Sequence, residues 1–170
     1  YNPALALQGH GDLVNAAVFS PNGQLVLTAS DDRTAKVWSA TSGRCLHTLE
    51  GHRNTVDSAV FSPDGQQVLT ASYDWTAKVW SAASGKCLFT LRGHLGPVRT
   101  AVFSPDGQQV LTASIDETAK VWSAVSGECL LTFRGHDDSV NSAIFSADGQ
   151  LVGYSGRVQA HLNGHDDGVS

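Results

Sequence analysis

Residues 51–92 read GHRNTVDSAVFSPDGQQVLTASYDWTAKVWSAASGKCLFTLR, and residues 93–134 repeat them with 31 of 42 positions unchanged. The pair Gly-His recurs at Gly9-His10, Gly51-His52, Gly93-His94 and Gly135-His136, each 42 residues after the last. Trp38, Trp80 and Trp122 keep the same step. A strict period of this length marks a repeat architecture, in which each unit buries its apolar faces against its neighbours.

Within residues 51–92 the pattern predicts four short strands. Val56–Ser62 alternates Val56, Ser58 and Val60 against Asp57, Ala59 and Phe61, the period of two expected of a strand. Ser62-Pro63-Asp64-Gly65 follows. Proline presets φ at the first central position of a turn, and glycine accepts the left-handed conformation that lets a hairpin return. Gln67–Ser72 is the second strand, a tight turn around Asp74 leads to the third at Thr76–Ser81, and Ala83-Ser84-Gly85 turns the chain into the fourth at Lys86–Leu91. Apolar residues on both alternating sets, such as Val79 and Trp80, imply that neighbours cover both faces of the sheet. The expected fold is all-β, a propeller of about four blades, each a four-stranded antiparallel sheet, in an incomplete ring. Phe89 and Leu91 exchange with Leu131 and Phe133 in the next unit, a volume-conserving swap that predicts one shared pocket.

The units fall at residues 9–50, 51–92 and 93–134. Tyr1–Gln8 align with Gly85–Arg92, which predicts the last strand of a preceding blade at residues 1–8. Gly164-His165 follows Gly135 by 29 residues instead of 42, so the fourth unit, 135–163, is truncated. It lacks the equivalent of Ile115–Gly127, the turn and third strand. Gly149–Gly156 resembles strand two and Arg157–Asn163 a weakened strand four, while 164–170 begins a fifth unit. Both a degenerate blade and a splicing or gene-model deletion produce this gap, and its clean edges favour the deletion. The absence of methionine points to a fragment of something longer.

Composition narrows the class. With 41% hydrophobic and 16% charged residues, the chain has the balance of a soluble globular protein. A net charge of −5 without a basic stripe argues against a nucleic-acid partner. No apolar run approaches the ~18 residues that span a bilayer, and no signal segment opens the chain. An intracellular protein, cytoplasmic or nuclear, with no membrane partner is expected. Cys45, Cys87 and Cys129 share the 42-residue step, which places them on separate blades beyond disulfide reach. They are expected to be small buried hydrophobes of a reducing compartment.

With Gly-His, Ser-Pro-Asp-Gly, Ser-x-Asp-x-Thr and Val-Trp-Ser in this order, the chain resembles WD40 repeat proteins over its whole length. The family's Trp-Asp stands here as Trp38-Ser39, Trp80-Ser81 and Trp122-Ser123. The near-identical tandem copies are also similar to the WD40 arrays of NACHT-type signalling proteins. The resemblance implies a hydrogen-bonded tetrad in each blade: His10, Thr28, Asp32 and Trp38; His52, Thr70, Asp74 and Trp80; His94, Thr112, Asp116 and Trp122. A histidine donor with an aspartate acceptor makes a charge-assisted pair, and threonine can accept the indole N–H while passing its own proton on. The fourth unit keeps His136, lacks the Asp and Trp, and has Tyr154 in the threonine position, so it should be the weakest. His, Asp and Thr also suggest a hydrolase triad, but three identical copies fit scaffolding better than the single asymmetric site that catalysis needs. No catalytic residue is assigned. No two histidines have metal-ligand spacing, and neither a metal nor a cofactor is expected.

Units two and three differ mainly in two loops. Four differences follow Gly-His, at Arg53/Leu95, Asn54/Gly96, Thr55/Pro97 and Asp57/Arg99; two flank the turn aspartate, at Tyr73/Ile115 and Trp75/Glu117. Both loops belong at the tetrad end, where they form one rim, so the scaffold repeats while its rim diversifies. Trp75 lies outside the 42-residue tryptophan series, and with Tyr73, Arg53 and Arg99 it makes a candidate hot spot or else folds over its own turn. Asp31, Asp137 and Asp138 add acidic character that suits a basic or mixed-charge peptide. The expected function is a non-catalytic scaffold that binds a protein or peptide through its rim. The alternatives are a sensor or substrate-recruiting region of a larger signalling or ubiquitin-ligase protein, and an element that closes a ring with other copies of itself.

Overall fold

The computed structural model describes residues 4–149, 151–155 and 158–162. Among them the secondary structure is entirely β. The first blade contains β1 (Val14–Phe19), β2 (Leu25–Ser30), β3 (Ala35–Ser39) and β4 (Cys45–Leu49). The second contains β5 (Val56–Phe61), β6 (Gln67–Ser72), β7 (Ala77–Ser81) and β8 (Cys87–Leu91). The third contains β9 (Val98–Phe103), β10 (Gln109–Ser114), β11 (Ala119–Ser123) and β12 (Cys129–Phe133). Each is a four-stranded antiparallel meander in chain order. The fourth sheet has three strands, β13 (Val140–Phe145), β14 (Leu151–Ser155) and β15 (Val158–Leu162).

The first strand of each blade is innermost: β1 touches β5, β5 touches β9, and β9 touches β13. Sheets therefore succeed one another around an axis, and the arc is open among the described residues. The core lies between blades rather than within one. Leu27, Ala29, Val37 and Leu49 of the first blade pack against Val56, Ala59, Val68 and Trp80 of the second. Leu69, Ala71, Val79 and Leu91 receive Val98, Ala101, Val110 and Trp122 of the third in the same way. A fully buried side chain of this size stabilises by about 1.5–3 kcal/mol, so each blade depends on its neighbour.

Several expectations change. The inner strand does not alternate simply, because a bulge between Val56 and Ser58 leaves Asp57 without a cross-strand partner. The buried residues of β5 are consequently Val56 and Ala59, and the same bulge lies between Val98 and Thr100. Cys45, Cys87 and Cys129 are exposed rather than buried, since they begin the outermost strand of each sheet. Residues 4–10 form no strand, as none of the described strands pairs with them. Leu5 and Leu7 still approach the Gly43 turn, as His47 approaches Gly85 and Phe89 approaches Gly127.

That last contact corrects the shared-pocket expectation for strand four. Phe89 is covered by the Gly127 turn of the following blade, whereas Leu131, its equivalent, is 52% exposed. The truncated fourth unit lacks the corresponding turn. Val158–Leu162, expected as strand four, pairs with β14 and takes third place in its sheet. Only two residues separate β14 from β15, so the chain must return beside the strand it has just left. In the register of this sheet Gly153, rather than Tyr154, stands opposite Ala143, where Thr112 stands opposite Ala101. The first residues of a fifth unit lie outside the described residues.

Truncating a side chain between blades should unfold the array, while truncating one on the outer strand should not. We expect Leu69→Ala, at a fully buried position, to lower unfolding free energy by about 2–5 kcal/mol. Leu130→Ala, at a residue 47% exposed, should change it by less than about 0.5 kcal/mol. Equilibrium urea denaturation of both variants measures the difference.

Candidate functional site

At one end of each blade, the second strand, the turn after it, the third strand and the Gly-His loop converge. In the second blade His52 Nδ1 lies 2.8 Å from Asp74 Oδ2, and His52 Nε2 lies 2.7 Å from Thr70 Oγ1. The Trp80 indole N–H donates to the same Thr70 oxygen at 2.9 Å. The third blade matches, with His94–Asp116 at 2.8 Å, His94–Thr112 at 2.7 Å and Trp122–Thr112 at 2.9 Å. In the first, His10–Asp32 is 2.7 Å, His10–Thr28 is 2.6 Å and Trp38–Thr28 is 2.8 Å. Each sequence-derived set of four is thus joined by three short hydrogen bonds.

The proton positions follow from charge. Burial alone raises the Asp116 carboxyl, but the Thr118 hydroxyl, the Leu95 N–H and the His94 ring outweigh it and hold the group at about 2. An ionised carboxylate only accepts, so His94 Nδ1 carries the proton. Burial depresses the His94 imidazole, although Asp116 pulls it upward and Lys120 adds to the depression. The ring is then neutral at pH 7, so Nε2 accepts from the Thr112 hydroxyl, which itself accepts from Trp122. Asp32 and Asp74 lie well below the usual carboxylate range by the same balance, in which hydrogen bonds outweigh burial.

Sequence reasoning missed part of this network. Thr76 donates both its hydroxyl, at 2.6 Å, and its N–H, at 3.0 Å, to Asp74 Oδ1, and Thr34 and Thr118 do the same in their blades. The Arg53 N–H donates to Asp74 Oδ2 at 2.9 Å, so one aspartate organises both loops of its blade. Ser72 Oγ reaches the Asn54 carbonyl at 3.2 Å and accepts from the Asp74 N–H at 3.0 Å. The Ser-x-Asp-x-Thr motif held the signal for both residues. Lys78 is also buried, donating to Thr90 at 2.8 Å with its ammonium 6.0 Å from the Trp80 ring centre. All these bonds hold the blade together.

The two variable loops meet on this end, since the Tyr73 N–H bonds the Thr55 carbonyl and the Ile115 N–H bonds the Pro97 carbonyl, both at 3.0 Å. Asp57 and Arg99 are the bulged residues of their inner strands, and a bulge re-aims its side chain. Arg99 reaches back across the blade boundary to Asp57, with Nε 3.2 Å from Oδ2, and donates to the Tyr73 hydroxyl while its guanidinium stands 5.6 Å from that ring's centre. Burial raises the Asp57 carboxyl, Arg99 opposes the shift and Asp31 reinforces it. Tyr73, Asp57 and Arg99 therefore form one cluster. Trp75 and Arg53 do not join it: both are exposed, and their side chains make no hydrogen bond, ion pair or ring contact among the described residues. Leu95, Ile115 and Glu117 are exposed, and Thr55 and Pro97 are half-buried.

Thr70→Val leaves the Trp80 N–H and the His52 Nε2 unpartnered in a buried site. It should cost about 1–3 kcal/mol, and Thr70→Ser should restore most of the loss in a urea titration. NMR titration should place the His94 imidazole below its ordinary 6.5. Because its folded value is depressed, its contribution to stability is complete above 6.5 and is lost as pH falls through the folded value. The Asp116 contribution is complete above 3.8 and is lost only as pH falls through about 2.

Comparison with known proteins follows the same period. The WD domain, G-beta repeat family matches at residues 2–39, 43–81, 85–123 and 127–158. Over 46 residues, 27% of this chain, the sequence is 40% identical to the ribosome biogenesis protein BOP1 homologs of Drosophila grimshawi and Drosophila ananassae. The homolog of Drosophila erecta is 38% identical over the same length. The matched stretch spans 6% of each of these relatives, about one repeat. With four repeats matched and a tetrad in each of three blades, the chain belongs to the WD40 family.

Proposed function

We propose that this chain is a non-catalytic scaffold segment that binds another protein or peptide through the rim at its tetrad end. WD40 repeats generally serve as protein-interaction scaffolds, which supports the coarse reading. The observation that carries the finer one is backbone conformation. Arg33, Trp75 and Glu117, at equivalent positions of the turn between strands two and three, have φ of 70°, 72° and 67°. A left-handed conformation costs an L-residue roughly 1–2 kcal/mol that glycine avoids. Three different large side chains nevertheless occupy it, all exposed, and strain kept at exposed positions is a signature of functional surfaces.

Trp75 contributes a large apolar surface, 49% exposed, and Arg53, Leu95, Ile115 and Glu117 give the neighbouring parts different chemistry. Thr55 and Pro97 set the shape of the adjoining loops, and Asp57, Tyr73 and Arg99 form a pre-assembled polar anchor across two blades. Aromatic residues and arginine dominate interface energies. Exposed Asp137 and Asp138 favour a basic or mixed-charge peptide. Such a segment suits the recruiting part of a larger intracellular signalling or ubiquitin-ligase protein.

A second reading rests on the first blade. Val14 is 51% exposed while its equivalents Val56, Val98 and Val140 are fully buried against the preceding blade. A further blade of the same kind fits this face, which supports self-association. Light scattering that finds only the monomer at micromolar concentration would remove this second reading.

Trp75→Gly should leave the melting temperature unchanged or higher, because it relieves the positive φ, yet weaken capture of the rim partner at least about tenfold. Arg99→Ala should weaken it too. Quantitative affinity capture by wild-type and variant chains tests this, and equal recovery of every captured protein by all three would sink the rim proposal.

A further inference from the structure

The end of the blades opposite the tetrads carries a second surface. Val18, Val60 and Val102 on the inner strands, with Phe61, Phe103 and Pro63, line an apolar cleft of about 380 Å³ that crosses three blades. The turns between strands one and two border it, each closed by a glycine N–H, as Gly65 donates to the Ser62 carbonyl and Gly107 to the Ser104 carbonyl, both at 2.9 Å. These turns stack from blade to blade. A Cβ at Gly65 would stand 3.6 Å from Pro21, and one at Gly107 would stand 3.7 Å from Pro63.

The turns that supply Ser62 and Pro63 to this lining also carry acidic residues, next in sequence to the lining rather than within it. The third residue of the turn is Asn22, Asp64, Asp106 and Asp148 in successive blades. Asp64 accepts from the Ser62 hydroxyl at 2.6 Å and the Gln66 N–H at 3.0 Å, and Asp106 accepts from Ser104 and Gln108 at the same distances. These bonds hold both carboxyls below their ordinary value. No lysine or arginine occurs in residues 20–24, 62–66, 104–108 or 146–150. The turns between strands three and four, bonded to this tier through the Ala82 N–H to the Gln66 carbonyl, carry Arg44, Lys86 and Glu128. The outer turns thus mix both signs, whereas those nearest the axis carry acidic side chains and no basic one.

An apolar cleft bordered by fixed anions is complementary to an apolar side chain with cations on either side. We propose that this face docks a peptide segment of another protein, inserting an apolar side chain between Val60 and Val102 and setting flanking lysine or arginine against Asp64 and Asp106. The site is distinct from the rim in kind as well as place. The rim differs from blade to blade, whereas residues 59–72 and 101–114 are identical, so two blades offer one contact twice.

The test uses the 170-residue chain and the fluorescein-labelled peptide Lys-Lys-Leu-Leu-Lys-Lys, read by anisotropy. Asp64→Asn with Asp106→Asn should weaken binding by roughly 3- to 10-fold, from two exposed charge pairs. The turns should survive this change, because Asn22 already makes the same two bonds, to the Ser20 hydroxyl at 2.7 Å and the Gln24 N–H at 3.0 Å. Val60→Lys should abolish binding while the melt remains cooperative, and Trp75→Gly should leave binding unchanged. The proposal is overturned if the peptide does not bind, if Lys-Lys-Ser-Ser-Lys-Lys binds equally, or if the double asparagine variant keeps full affinity. Loss of binding in Trp75→Gly would also overturn it by moving the site to the rim.

Discussion

The hydrogen bond from the strand-three indole to the strand-two threonine governs more of this molecule than its size suggests. Thr70 accepts from Trp80 and, through His52, connects to Asp74, which fixes the loop that enters the blade and the turn that follows strand two. The Trp80 ring also packs on residues of the preceding blade. Orientation of one side chain therefore links the internal order of a blade to its seating on the next. Because every member of the network is buried or half-buried, a missing partner leaves polar atoms that water reaches poorly.

This division of labour explains how the rim can vary. Asp74 takes hydrogen bonds from backbone N–H groups of both loops, and those donors are present whatever the side chains are. Arg53 and Leu95 can exchange, as can Tyr73 and Ile115, without altering the scaffold. The inner-strand bulge adds a second free position, where Asp57 and Arg99 interact across the blade boundary. In the inner turns of the opposite end little such freedom is used. The Ser-Pro-Asp-Gly turns repeat almost unchanged and stack on each other, so any ligand there meets the same chemistry on successive blades.

Much of this was legible in the residues. The 42-residue step located the blades, turn residues located the strand boundaries to within a residue or two, and Gly-His, Thr, Asp and Trp identified the tetrad members because their spacing recurs. The roles of Thr34, Thr76 and Thr118 were present in the motif yet unread, since a hydroxyl that caps a turn carries no periodic signal beyond that of the strand beside it. The fourth sheet was harder. Its missing segment could be seen, but the strand that would take the vacant position depends on pairing, and pairing follows the shortest return path.

The sequence by itself determined the all-β class, the repeat, the four-strand order of a complete blade and the groups that could bond within it, because those depend on local pattern and on identical copies. Tertiary structure decided exposure. Cys45, Cys87 and Cys129 lie open because strand four is outermost. Leu131 is bare where Phe89 is covered, because coverage comes from the following blade's turn. The bulge that turns Asp57 and Arg99 toward each other is likewise invisible to a period of two. Local pattern specifies what a strand can bury, but only the neighbouring blade specifies what it does bury.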